Sequence, residues 1–527
     1  VGSHTEGSSN QASGTFSHAE GQSTLASGPM SHTEGIYTSA IGNSSHAEGF
    51  GTTAIGDDSH SEGINTIASG NYGSHAEGYL TLAGGVGSHA EGYSTTANGI
   101  SSHSEGQLTT ALGNTSHSEG YQTTAIGSYS HSQGIFTIVT GNYGAHVEGY
   151  QTKASGNTSH AEGYQTTTIG ENSHSEGNQT IASGNTSHAE GNQTTTIGDS
   201  SHAEGDRTIA SGNYGSHSEG VYSQALGDSS HAEGGSTIAQ GIYSHAEGRS
   251  TKAIGGDSHS EGQGTTASGV QSHSQGLGSK AIGSQSHAEG YYTIASGQSS
   301  HAEGYFSVAQ GNFGSHAEGF FTIASGICSH SEGLSTTAIG ATSHAEGQGT
   351  TAIGEYSHSE GQGTVAIGSQ SHAGGLFSIA SGQTSFVHGE NSLANGNGTV
   401  VFGNNVTGLT NNTVYVPNLN INVSPSNDES LTKMLVRAND GTVKYRNFTG
   451  FTGVDSFVDK EVPLGNIDGY NTIFTLDYTP ILNSEHIYLN GILQDEGSVE
   501  DYTITGNTIE FVVAPLTNMK IKCSYRK

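Results

Sequence analysis

The chain has 527 residues, of which 82 are glycine and 12% are charged, with no tryptophan and a formal net charge of −33 when histidine is neutral. This balance excludes a basic nucleic-acid surface, and no stretch reads as a signal peptide or is apolar enough to span a membrane. Such a composition would imply disorder if it were not written as a strict repeat, and the two cysteines, Cys328 and Cys523, set up no disulfide framework.

From Ser3 to Ser385 a unit of 14 residues begins 28 times, with four steps of 15 where Gly73, Gly144, Gly215 and Gly314 are inserted. A fixed short period predicts a solenoid. Each unit holds two five-residue segments, Ser-His-Ala-Glu-Gly and Thr-x-Ala-x-Gly in their commonest forms, separated by two-residue corners such as Tyr164-Gln165 and Asn157-Thr158. Five residues ending in glycine predict a short strand and a tight turn, with glycine accepting the positive φ of the corner. The first and third positions are almost always Ser, Thr or Ala, with Thr168 and Thr196 in place of the commoner Ala, and the exception Val139 is also small. In a strand these positions share one face. Side chains this small fit between the two strands of a flattened coil, so the prediction is a thin parallel β-roll. Stacked at about 4.8 Å per coil, the repeats make a rod of roughly 130 Å.

Ala and Ser remove little hydrocarbon from water, so such a roll needs partners. The second position of the first segment is His from His4 to His372, and the fourth is Glu except at Gln133, Gln275 and Gly374. The matching positions of the second segment vary and accept Lys153, Lys252 and Lys280, which predicts a largely solvated face. The invariant face is therefore expected to pack between subunits as a His/Glu ladder, represented by His18 and Glu20, His46 and Glu48, His160 and Glu162, His188 and Glu190, and His287 and Glu289. Carboxylates gathered near an axis need compensation. The expectation is inter-subunit His–Glu pairs with the His pKa raised by Glu, so that raising the pH removes stabilisation.

A hydrogen-bonded ladder is preferred to a column of metal ions, which would stack charge in every layer, and no cofactor or metal is expected. The His-Ala-Glu triplet lacks the Pro-Cys-x-x-Cys partner of zinc deaminases, and no P-loop, nucleophile elbow or isolated acid pair supports an enzyme. Corner residues project from the rod. Tyr291 and Tyr292, Tyr305 and Phe306, and Phe320 and Phe321 occupy one corner in three consecutive coils and are candidate ligand-binding aromatics. Stacking within the corner explains them equally well.

The repeat decays near residue 385, where Phe386 and His388 replace His and Glu. Thr399 to Phe402 and Thr413 to Val416 read as strands closing the open end, since an uncapped solenoid exposes pairing edges. The segments Leu431 to Leu435 and Thr442 to Arg446 read as a connector. Alternating runs at Thr472–Leu476, His486–Leu489, Tyr502–Ile504, Thr508–Val513 and Met519–Cys523, with turns at Asn490-Gly491 and Gly506-Asn507, predict a small antiparallel β-sandwich. The expected domains are the rod at 1–403, a cap and connector at 404–454 and the sandwich at 455–527.

The 14-residue units with S-x-A-x-G and T-x-A-x-G strands resemble the head repeats of YadA-type trimeric adhesins over about residues 1–403. The resemblance implies a left-handed parallel β-roll associated as a tight trimer. Where the adhesin heads often have Val and Ile, this chain has His and Glu; the alternative packing would place Ile126, Ile169 and Ile197 toward the axis. The run Ser484 to Gln494 followed by Asp501 to Phe511 resembles small β-domains at the ends of bacteriophage tail-fibre and other virion proteins. Together they imply an all-β structural protein, extracellular or on a virion surface: a homotrimeric phage fibre presenting an attachment domain to a cell-surface glycan or receptor. The alternatives are an extracellular filament polymerised by end-to-end contacts between trimers, and a bacterial surface adhesin. The latter would be expected to carry a coiled-coil stalk and a membrane-barrel segment, which the sequence does not show. Neither nucleic acid nor membrane insertion is expected.

Overall fold

The computed structural model describes residues 2–417, the strands Lys433–Arg437 and Val443–Asn447, residue 439, and residues 457–497 and 499–527. Every regular element among them is a β-strand. The chain divides into two compact units, Val1–Leu419 and Asn420–Lys527.

In the first unit most coils contribute a five-residue strand, such as His160–Tyr164, and a two-residue strand, such as Thr167–Thr168. The longer strands form one parallel sheet of 30 strands and the shorter ones a second of 29. Each residue lies over its own counterpart, as His160 over His174 and Glu162 over Glu176, with ladder bonds such as His160 N–H to Ser173 O at 2.9 Å. The roll continues through Val414–Tyr415, past residue 403.

The inward positions are filled as the alternation requires. Ala288, Ala302 and Ala317 of the first sheet interleave with Ala281, Ala295, Ala309 and Ala324 of the second, all fully buried. Most buried hydroxyls follow one pattern, with exceptions such as Thr350, which faces Ala345 yet donates to Glu346 O at 3.1 Å. Where the third position is Ser, it pairs with the Thr opposite, as Ser61 with Thr66 at 2.7 Å and Ser118 with Thr123 at 2.8 Å. Where that position is Ala, as at Ala161 and Ala189, the facing Thr166 and Thr194 hydroxyls lack a hydrogen-bond partner. Toward the end the interior enlarges to Val387 and Val401, packed by Val406 and Tyr415.

The two glycine columns do different work. Gly21, ending a first segment, has φ 111°, whereas Gly28, ending a second segment, has no positive φ. Both stand where no side chain fits: an added Cβ would lie 2.0 Å from Gly35 O and 1.8 Å from Gly42 O respectively. The corners themselves turn on a left-handed residue that is mostly not glycine, such as Met30 (φ 56°), Tyr37 (φ 55°) and Ser44 (φ 54°). This conformation costs about 1–2 kcal/mol per residue. It is held by the ladder, through Met30 N–H to Thr15 O at 2.7 Å and Tyr37 N–H to Gln22 O at 2.9 Å. Alternate corners add side-chain acceptors, as Asn43 N–H to Asp57 Oδ1 at 2.8 Å and Asp57 N–H to Asn71 Oδ1 at 3.0 Å.

In the second unit, Lys433–Arg437 and Val443–Asn447 pair antiparallel. The remaining connector, 418–432 and 448–456 included, lies outside the described residues. Two antiparallel sheets follow. One has the order Phe457–Glu461, Ile521–Arg526, His486–Leu489, Ile492–Leu493; the other has Ile473–Thr475, Thr508–Phe511, Tyr502–Thr505. Their apolar faces share a core of Phe474, Leu476, Ile487, Tyr502, Ile509, Phe511, Ile521, Cys523 and Tyr525. Asn490 and Gly491 both take positive φ, as a two-residue hairpin turn requires. The pattern at Met519–Cys523 shifts to Ile521–Arg526, whose Tyr525 hydroxyl donates to Glu461 Oε2 at 2.5 Å.

Close coil contact and backbone strain separate at two glycines. Gly184→Ala puts a methyl 1.9 Å from Gly198 O, and is expected to cost about 4 kcal/mol or more and to open a protease-sensitive break in the roll. Gly215→Ala, at φ 83° with open space around it, is expected to cost about 1 kcal/mol and leave the roll resistant. Equal losses in chemical denaturation would refute the distinction.

Candidate functional site

Because the coils are in register, the outward positions of the first sheet become columns. Neighbouring His rings stack about one coil apart, as His89 and His103 at 4.7 Å and 2°, and His188 and His202 at 4.8 Å and 0°. Each sequence-predicted pair is brought together on its own strand: His Nε2 lies 4.0 Å from the carboxylate in His18–Glu20 and His46–Glu48, 3.8 Å in His160–Glu162 and His188–Glu190, and 3.7 Å in His287–Glu289. These separations are longer than hydrogen bonds. The Nε2 atoms of these five histidines are buried and have no hydrogen-bond partner within the chain.

The expected upward shift belongs to pairs between subunits; within the single chain the shift at His46 and His287 is downward. At His46 and His287, burial pushes the pKa down, the stacked neighbouring histidines push it further, and the glutamates only partly oppose this. The cause is geometric: ring lies on ring, while the carboxylates stand off to one side. His131, beside Gln133 rather than Glu, is pushed down to about 4 by burial and by His117 and His146. Carboxylates stacked on carboxylates respond differently. Glu62 is raised to about 7, chiefly by its hydrogen bond with Glu48, which is itself lowered by that bond; a proton shared between neighbours relieves their repulsion.

The candidate aromatics form two adjoining columns. Tyr291, Tyr305 and Phe320 stack at 4.6 and 4.7 Å, and Tyr292, Phe306 and Phe321 at 5.5 and 5.3 Å. Rings of the two columns meet edge to face, as Tyr291 and Tyr292 do at 73°. Since ring faces are turned to one another, a ligand at this corner would meet chiefly ring edges and tyrosine hydroxyls.

One further column went unremarked in the sequence, and a second was anticipated there only at Ile126, Ile169 and Ile197. Gln193, Gln179 and Gln165 each donate an amide hydrogen to the preceding glutamine, ending at Gln151, at 2.7–2.9 Å. Arg207 Nε donates to Gln193 Oε1 at 2.7 Å. On the second sheet, an aliphatic side chain alternates between two positions. Ile181, Ile209 and Ile294 are followed by Ser183, Ser211 and Ser296, whereas Thr167, Thr195 and Lys252 are followed by Ile169, Ile197 and Ile254. Most coils therefore present one aliphatic outward, with Ile169 54% and Ile197 55% exposed. Each position alone looks variable; the signal lies in their complementarity. A row of this kind has the character of an interaction surface.

Residues 19–45, 47–72, 104–130, 161–187, 189–214, 274–300, 288–313, 331–357 and 359–385 match the YadA head domain repeat. These segments are similar to YadA head repeats, and with the parallel coils they indicate a trimeric-adhesin-like fibrous β-roll structural protein. No curated protein matches the chain. Among the described residues, no helix is long and apolar enough to cross a membrane.

The lowered histidines fix the sign of a pH effect. The folded state favours neutral imidazole, so this stability is fully present above the ordinary pKa of about 6.5 and is lost as pH falls toward the depressed folded values. The melting temperature is expected to fall progressively from about pH 7.5 to about pH 5, and His131→Gln is expected to lessen that fall. Melting scans in which acidification raises stability would contradict the assignment.

Proposed function

We propose that the chain is a homotrimeric fibre subunit whose roll forms the rod of a bacteriophage tail or virion fibre and presents a receptor-binding or attachment domain. The carrying observation is the row of buried Nε2 atoms without hydrogen-bond partners on the His/Glu face. A neutral imidazole donating N–H to an ionised carboxylate of another subunit satisfies both groups without burying a net positive column. The separate C-terminal unit, with its own core, supports the role of a presented domain, and its resemblance to virion β-domains supports the phage setting. The stacked corner aromatics then offer ring edges to a cell-surface glycan or receptor. A bacterial surface adhesin and an end-to-end polymerised filament are the alternatives.

The aliphatic row favours a second packing, in which the face carrying Ile169 and Ile197 lies on the axis. Two substitutions in a Cys328→Ser background distinguish the packings. Glu190→Cys is expected to cross-link chains under mild oxidation and Ile197→Cys is not; the reverse result supports the aliphatic interface. A monomer by light scattering, with neither cross-link, overturns the trimer.

Electron microscopy of the native protein tests the fibre itself. Discrete rods with a knob at one end are the expected outcome. Continuous fibrils with an axial repeat near one chain length would make the C-terminal domain an assembly joint.

A further inference from the structure

Gln133 and Gln275 keep a long polar side chain in the glutamate column, but at its last coils the His/Glu ladder loses that side chain altogether. Gly374 occupies the position held elsewhere by glutamate, and the next coil lays His388 over Gly374, in the glutamate column. Glu360 Oε1 is thereby approached by two imidazoles, His372 Nε2 at 3.2 Å and His388 Nδ1 at 3.8 Å. A Cβ at Gly374 would lie 2.6 Å from His388 Nδ1 and 3.0 Å from Glu360 Oε1. The missing side chain leaves open the space on which these donor atoms converge.

The regular ladder also gathers ligand-type atoms, as in His89, Glu91 and His103, but its geometry works against a shared ion. An imidazole nitrogen offers its lone pair in the plane of the ring, and rings parallel within 2° and 4.7 Å apart direct their lone pairs along lines that do not meet. At the break this constraint is lifted. His358 and His372 are rotated 65° apart, the ring above His372 is Phe386, tilted by 37°, and His388 comes from the neighbouring column. Around a tetrahedral ion with bonds of about 2.0–2.1 Å, donor atoms stand about 3.3–3.4 Å apart. The two separations from Glu360 Oε1 bracket that value. Glu360 and His388 line a groove together with Glu332 and Glu346, which leaves room for a fourth ligand.

We propose that Glu360, His372 and His388 form a binding site for one divalent transition-metal ion, with zinc the best match to two imidazoles and a carboxylate. The ion would tie the cap coil Phe386–Glu390 to two coils before it, adding stability where the repeat ends.

The test is zinc titration of the untagged full chain by calorimetry, with cobalt absorption as a second readout. One tight equivalent per chain and a tetrahedral cobalt band are expected. His388→Ala, at a half-exposed side chain, should weaken zinc by at least about 100-fold, the upper end for residues that merely support a ligand, and abolish the band. His188→Ala, in the regular ladder, should change neither. Unchanged melting without metal establishes that His388→Ala still folds; if it does not, Gly374→Ala, which crowds the same space, provides the comparison. Absence of a tight equivalent, many equivalents of similar affinity, or tight binding retained by the folded His388 or Gly374 variant would overturn the site.

Discussion

Everything in the roll follows from the height of one coil. Successive backbones lie so close that an added Cβ at Gly42 would reach 1.9 Å from Gly56 O, and parallel pairing sets each residue on its own counterpart. A side chain is therefore selected for how well it stacks on itself. Imidazoles, phenyl rings and primary amides do so at the coil spacing and form columns. Stacked carboxylates repel, and Glu48 and Glu62 relieve this by sharing a proton. The interior obeys the same rule with the smallest side chains, so cohesion comes from ladder hydrogen bonds and repeated close contact rather than from large buried hydrocarbon.

Much of this was legible in the sequence because the period is short and strict. Strand alternation placed Ser, Ala and Thr inside and His and Glu together outside, and both hold in the structure. What escaped depends on the third dimension. Glycine was expected to supply the positive φ at corners, but residues such as Tyr37 and Ser44 adopt it under the constraint of the ladder, and Gly28 is required for space alone. Within one chain the shift at His287 is downward, because burial and a stacked neighbouring histidine outweigh the glutamates, and composition shows neither. The strand Phe457–Glu461 has too little alternation to stand out; it is recruited by pairing with Ile521–Arg526.

The candidate site was legible as a list of residues but not as surfaces. Pairing of His188 with Glu190 follows from their spacing on a strand, whereas the burial of Nε2 depends on neighbouring coils. The aliphatic row was visible only at Ile126, Ile169 and Ile197, because no single position is uniformly aliphatic. Two faces of different chemistry, one imidazole and carboxylate, one aliphatic, thus run along one thin scaffold. A fibre built on it has a distinct choice of which to turn inward.

Perfect repetition carries a hazard: a copy laid alongside another and displaced by one coil would find almost the same neighbours. The four widened corners, Asn71-Tyr72-Gly73, Asn142-Tyr143-Gly144, Asn213-Tyr214-Gly215 and Asn312-Phe313-Gly314, remove that degeneracy. Their aromatic residues are all exposed, and they are spaced five, five and seven coils apart. No single non-zero displacement brings all four back into coincidence, so these corners act as index marks on a ruled scale, giving an otherwise translationally ambiguous object one alignment.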